Sequence, residues 1–162
     1  MKAKIYYGST IGDTEKVAEI LGKELDAEVV PISQGIENIE NLDLILLGSS
    51  TWGYGELQDD WGDKIDSLKE INLSGKKIGL FGTGDQESYS DTFCDSLGII
   101  AEAVRDAGGE IIGMTSKEDY NFIDSKALED DKLVGLAIDI NNQDELTIPR
   151  IQDWVDQLKK EI

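Results

Sequence analysis

Leu44-Ile45-Leu46-Leu47 is an unbroken apolar run, and it constrains the fold more than any other stretch. It is far too short to span a membrane and too continuous for a strand with one wet face, so it fits a central strand covered on both sides. Strands are expected at Lys2–Tyr7, Glu28–Ile32, Leu42–Gly48, Lys77–Phe81, Glu110–Met114 and Leu133–Ile138. Between most of them, apolar residues recur at helical spacing: Val17, Ile20, Leu21 and Leu25; Trp61, Ile65 and Leu68; Phe93, Leu97, Ile100, Ala101 and Val104. Ile151, Trp154, Val155 and Leu158 mark a last helix. Alternating strands and helices predict an α/β fold, a doubly wound parallel sheet with helices on both faces. Gly108-Gly109 falls where a left-handed helix cap belongs, and Pro149 in the opening turn of the last helix. Thr115–Lys132 is too long for a simple connection. It is expected to interrupt the last strand, so that Glu110–Met114 and Leu133–Ile138 share one sheet position or its edge.

A single domain over residues 1–162 suffices to bury a core. The chain has no His and one Cys, Cys94, which excludes His-based catalysis, Cys/His zinc sites and an internal disulfide. No apolar run approaches membrane-spanning length, and MKAKIYYGST has no long apolar stretch of a secretion signal; a cytoplasmic protein is expected. Thirty-four acidic against 15 basic side chains give a formal charge of −19, a field that repels nucleic acid and anionic lipid and steers basic protein surfaces toward it. A merely solvated surface would carry the same charge, so that plainer reading stands beside an acidic docking face.

Gly8-Ser9-Thr10-Ile11-Gly12-Asp13-Thr14 joins the first strand to the first helix. It reads either as an ordinary capped turn or as an anion cradle at a helix N-terminus. It lacks the lysine of GxxxxGK[ST] and is not GxGxxG. Hydroxyls with no cationic side chain suit one terminal phosphate better than metal-bound polyphosphate. Ser49-Ser50-Thr51-Trp52-Gly53-Tyr54-Gly55-Glu56 and Gly82-Thr83-Gly84-Asp85-Gln86-Glu87-Ser88-Tyr89 each set an aromatic beside glycines after a strand. Singly, each aromatic reads as filler. Together with the phosphate loop, at the carboxyl ends of parallel strands, they describe a site for a planar ring with a monophosphate tail.

GSTIGDTEKVAE, SSTWGYGELQDDW, LFGTGDQESYSDTFCDSLG and FIDSKALEDDKLVGLAIDINNQDELT resemble the flavodoxin family over nearly the whole chain. Thr115–Lys132 corresponds to the insertion of its long-chain subgroup. The resemblance implies a flavodoxin-like five-stranded parallel sheet of order 2-1-3-4-5, for which flavodoxins are a standing example, with FMN at the switch point. It implies that Ser9, Thr10, Gly12, Asp13 and Thr14 surround the FMN phosphate, with Ile11 among them in the cofactor site, and that Trp52 and Tyr89 stack on the two ring faces. Main-chain groups of Thr51, Trp52, Gly53, Tyr54 and Gly55 and of Thr83, Gly84 and Asp85 would meet the ring edge; Ser50 and Thr92 complete the set. The implied activity is one-electron shuttling by noncovalent FMN, not catalysis, and no residue is catalytic or a metal ligand. Expected partners are basic-faced redox proteins, such as a ferredoxin/flavodoxin reductase and acceptor reductases, with no nucleic acid and no membrane, and the carrier is expected to be a monomer. Glu56, Asp59, Asp60, Glu87 and Asp91 border the loops as its docking face.

Several residues depart from the family's pattern. Ile11 stands where a hydroxyl residue is usual and Asp13 adds a charge beside the phosphate; both predict weaker FMN binding unless Asp13 faces solvent and caps the helix. Ser50 replaces a common proline. Gly53 replaces an Asn of many long-chain relatives, and because Gly tolerates φ > 0, Gly53-Tyr54 is expected to be a redox-responsive peptide that favours the neutral semiquinone. Stacked aromatics and the acidic field predict a low potential for the reduced couple. The alternative on the same fold is an FMN-dependent quinone or NAD(P)H reductase, for which no nicotinamide site is legible. A phosphoacceptor domain would need acidic residues after the first strand, where Tyr6-Tyr7-Gly8 offers none.

Overall fold

The computed structural model describes residues 1–52 and 54–162. The first half runs β1 (Ala3–Gly8), α1 (Asp13–Leu25), β2 (Glu28–Pro31), β3 (Leu44–Trp52), β4 (Glu56–Leu57) and α2 (Asp59–Glu70). The second runs β5 (Lys77–Thr83), α3 (Asp95–Asp106), β6 (Glu110–Ile112), β7 (Thr115–Ser116), β8 (Leu128–Glu129), β9 (Lys132–Leu133), β10 (Leu136–Ile138), α4 (Ile140–Gln143) and α5 (Thr147–Glu161).

Successive residues of a strand point to opposite faces, and the apolar run obeys this rule. Ile45 and Leu47 enter a core under α2 and α3 with Trp61, Leu68, Leu97 and Val104. Leu44 and Leu46 enter a second core under α1 and α5 with Val17, Leu21, Ile151 and Trp154. Each such side chain, buried, contributes roughly 1.5–3 kcal/mol, so the run stabilises the central strand from both sides at once.

The main sheet has the order β2-β1-β3-β5, all parallel, and its fifth position is shared. β6 pairs with Lys77–Gly79 and β10 with Phe81–Thr83, both parallel to β5. This is the expected five-position order with the last strand broken in two. Gly113, at φ 75, turns the chain out of the sheet. The excursion makes its own antiparallel sheet, β7-β9-β8, before β10 returns.

Two local expectations need correction. β3 does not stop at Gly48 but continues to Trp52, because β4 folds back on it with Thr51 opposite Leu57 and Trp52 opposite Glu56. Trp52 therefore sits on a strand end rather than in a free turn. α3 starts at Asp95 rather than Thr92, since Cys94 at φ 53 is left-handed and keeps Thr92 and Phe93 outside the helix. Because the strands are parallel and in register, with Gly8 beside Ser49, Ser50 beside Thr83 and Ile138 beside Thr83, their carboxyl ends meet at one edge.

Candidate functional site

At that edge the turn before α1 is built around Gly12, whose φ of 97 is open to glycine and strained for other residues. Its N–H donates to Ser9 Oγ at 3.0 Å, while its carbonyl accepts from Lys16 N at 3.0 Å. Gly12 occupies the N-cap position and α1 has no side-chain cap. The first N–H groups of a helix have no partner within it, so those of Asp13 and Thr14 are left to an external acceptor at the positive end of the dipole. The turn is therefore not a self-capped helix start. Asp13 does not cap; it is the first residue of α1, half-buried and on the wall of the cleft. Thr14 is fully buried, and its Oγ1 lies 2.8 Å from Thr83 Oγ1 at the end of β5.

The aromatics are placed by their neighbours. Trp52 is 37% exposed, and its indole N–H donates to Ser50 Oγ at 3.0 Å; Ser50, two residues back on the same strand face, orients the ring. Tyr89 is 52% exposed, and its N–H donates to the Asp85 carbonyl at 2.9 Å. Thr51 Oγ1 donates to Ser96 Oγ at 2.9 Å and accepts from Ser96 N at 3.1 Å, which fixes the end of β3 to the start of α3. In the loop after β5, Asp85 Oδ1 accepts from Glu87 N at 3.1 Å, Ser88 N at 2.9 Å and Asn142 Nδ2 at 2.8 Å. Burial pushes this carboxyl up, but the donors from Ser88, Asn142 and Glu87 outweigh it and hold Asp85 below the usual carboxylate range.

One open cleft joins these pieces. Ser9, Ile11, Asp13, Thr14, Ser50, Thr51, Trp52, Thr83, Gly84, Asp85 and Tyr89 line it. So do Ile140 and Asn141 of α4, which sequence reasoning missed. The rule that ligands bind beyond the carboxyl ends of strands was applied to three strands; extending it to Leu133–Ile138 would have reached both residues.

Five expected residues lie off the wall. Thr10 is exposed, and its Oγ1 accepts from Gln58 Nε2 at 3.3 Å. Gly12 shapes the turn from behind. Tyr54 is 94% exposed, and Thr92 joins Tyr54 and Tyr89 around a neighbouring groove. Gly55, at φ 87, is packed against Asp95 Oδ2 so closely that a Cβ would collide with it. Gly53, and with it the expectation for the Gly53-Tyr54 peptide, lies outside the described residues.

Among the described residues, no group of His, Cys, Asp and Glu is arranged to hold a metal, and no helix is long and apolar enough to cross a membrane. Cys94 is buried, and burial pushes its thiol far above the range of a reactive cysteine. Glu56, Asp59, Glu87 and Asp91 are exposed around the cleft; Asp60 is half-buried and accepts from Gln58 Nε2 at 3.3 Å.

The cleft thus has an uncapped helix start at one end and exposed rings at the other. A family model described as flavodoxin matches residues 5–154. Flavodoxin 1 of Escherichia coli K12 is 42% identical over 163 residues, covering 98% of this chain and 93% of that protein. A flavodoxin of Nostoc sp. PCC 7120 is 42% identical over 164 residues, covering 99% and 96%. Among solved structures, Fusobacterium nucleatum flavodoxin bound to flavin mononucleotide superposes with a TM-score of 0.94 at 30% identity, covering 99% of this chain and 98% of that one.

Proposed function

Since the chain belongs to the flavodoxin family, we propose that it binds FMN in the cleft and carries single electrons between a reductase and acceptor redox enzymes, as a cytoplasmic monomer of low potential. The observation that carries this reading is the uncapped N-terminus of α1 facing the same cleft as Trp52 and Tyr89. The residues fit the cofactor at both ends. N–H groups of Asp13 and Thr14 and the hydroxyls of Ser9 and Thr14 supply neutral donors to a phosphate dianion. Trp52 and Tyr89 supply two ring surfaces, each contributing about 1 kcal/mol beyond area burial. Gly84 lies on the wall, with a Cβ there crowding Cys94 and Phe93 behind the loop, and Asp85 holds that loop in place. Ile11 and Asp13 weaken the phosphate end, the first by lacking a hydroxyl and the second by its charge.

The one-electron chemistry belongs to FMN when it is bound; the chain orients it, shields it and sets its electrostatic surroundings. A net charge of −19 disfavours adding negative charge to the ring, and each tenfold loss of affinity on one-electron reduction lowers the potential by about 59 mV. The relatives favour a carrier over the quinone or NAD(P)H reductase alternative. Redox partners follow from the family; that they present basic faces to Glu56, Asp59, Asp60, Glu87 and Asp91 follows from the charge of this chain.

Titration of the apoprotein with FMN tests the reading: one equivalent should quench flavin fluorescence, and a colourless protein that leaves added FMN fluorescent refutes it. A redox titration should place the more reducing couple below that of free FMN. Reduction by a basic-faced reductase should slow as salt is added; a rate indifferent to salt removes the steering.

A further inference from the structure

Behind the loop after β5 lies a buried carboxylate that takes no part in the cleft wall. Asp139 is 1% exposed, at the junction of β10 and α4. Its Oδ2 accepts from Gln86 N at 3.0 Å, Gln86 Nε2 at 2.8 Å and Asn142 Nδ2 at 2.8 Å, and its Oδ1 from Asn142 N at 3.1 Å. It has no ion pair among the described residues. A buried carboxylate held only by neutral donors costs stability unless every lone pair is used, and here the donors come from the two segments that flank the cleft.

We infer that Asp139 is a positioning residue for the ring end of the cofactor site, its carboxylate clamping the Thr83–Tyr89 loop to α4. The inference rests on the reading of the cleft as a flavin site. Gln86 follows Gly84 and Asp85 on the wall, and three residues later comes Tyr89; Asn142 follows Ile140 and Asn141, which line the adjoining stretch, Asn141 Nδ2 donating to Asp85 Oδ2 at 3.3 Å. The Asn142 amide also donates to Asp85 Oδ1 at 2.8 Å, so one side chain spans the two acids. Gln86 carries the clamp outward: its Nε2 donates to Gln143 Oε1 at 2.9 Å, and its Oε1 accepts from Asn121 N at 2.5 Å. None of the bonds made by Asp139, Gln86 or Asn142 reaches the turn Ser9–Thr14, to which the loop is tied only at its start by Thr83 Oγ1 with Thr14 Oγ1 at 2.8 Å, so the clamp acts on the ring end.

Asp139→Asn tests this because an amide accepts at one position and donates at the other. One buried donor, from Gln86 or Asn142, then faces an N–H. FMN, riboflavin and inorganic phosphate are titrated against apoprotein of the wild type, Asp139→Asn and Asn142→Ala, well below the thermal transition of each. Riboflavin and FMN affinities should fall together, about tenfold in Asp139→Asn and a few-fold in Asn142→Ala. Inorganic phosphate affinity should hold. Residual fluorescence of the bound flavin should rise as Tyr89 loses its fixed place. The half-buried Asn142→Ala variant keeps the test decisive if Asp139→Asn fails to fold. Unchanged riboflavin affinity and fluorescence in a folded variant overturn the inference. Phosphate affinity that falls in step with riboflavin overturns it too, since the loss would then be global. A wild-type protein that takes up neither FMN nor riboflavin overturns the flavin reading itself.

Discussion

The turn Ser9–Thr14 and the loop Thr83–Tyr89 flank the same cleft but are built on opposite principles. The first spends the Gly12 N–H on Ser9 Oγ but leaves the opening N–H groups of the helix without a cap: α1 begins at a left-handed glycine with no side-chain cap. The second spends nearly everything internally, with Asp85 taking Glu87 N, Ser88 N and Asn142, and Asp139 taking Gln86. A site for a charged tail needs vacant donors, whereas a site for a flat ring needs a wall that does not move. A single hydroxyl pair, Thr14 with Thr83 at 2.8 Å, joins the two.

Removing the ligand's phosphate puts the contrast to its hardest test. Riboflavin should bind about a thousandfold more weakly than FMN, since losing charge-assisted bonds costs about 4 kcal/mol in total; near-equal affinities by fluorescence titration would mean that the turn holds no phosphate. Gly12→Ala comes next. A Cβ there meets nothing within 4 Å, so the cost is backbone strain alone, about 1–2 kcal/mol. It should appear as a lower Tm of the apoprotein and about tenfold weaker FMN binding. Thr83→Val cuts the link between the regions and should weaken FMN about fivefold by removing one hydrogen bond of about 1 kcal/mol, with riboflavin unaffected. An equal loss for both ligands would show that the pair serves the ring instead.

Ile11→Thr should run the other way and tighten FMN by a few-fold, about half to 1 kcal/mol for one restored hydroxyl; Ile11 is 70% exposed on the cleft wall, so the exchange leaves the core intact. The smallest effect belongs to pH. Asp85 is held below the usual carboxylate range, so its bonds stabilise the fold above that range and are lost as pH falls through the depressed value. The stability difference between wild type and Asp85→Asn, from urea unfolding, should shrink as pH is lowered from neutral to below about 4. A constant difference would show that the loop does not depend on the charge.

Much of this was legible in the chain. The apolar run Leu44-Ile45-Leu46-Leu47 and the helical spacings carry short-range information, and the alternation of strands and helices with two buried faces follows from it; the sheet order came with the family resemblance, and the split last strand from the length of Thr115–Lys132. The turn Gly8–Thr14 announces a helix start in its own residues, although whether it caps itself or waits for an anion does not show there. Trp52 and Tyr89 could be named because large aromatics beside glycines are conspicuous. Asn141 and Ile140 could not, since their place on the wall depends on β10 returning to β5 after the excursion of Thr115–Lys132.

The sequence by itself determined the parallel α/β sheet, its acidity, the lack of His, and the loops that line the cleft, because periodicity, turn residues and charge are local properties. Only the tertiary structure decided which donors are free. Asp13 reads as a charge beside the phosphate unless it caps the helix, and it does not cap; Asp139 reads as one acid among 34 and is buried under four donated bonds. Whether a polar group is spent or vacant depends on partners brought in from distant segments, and burial sets the cost of leaving it unpaired.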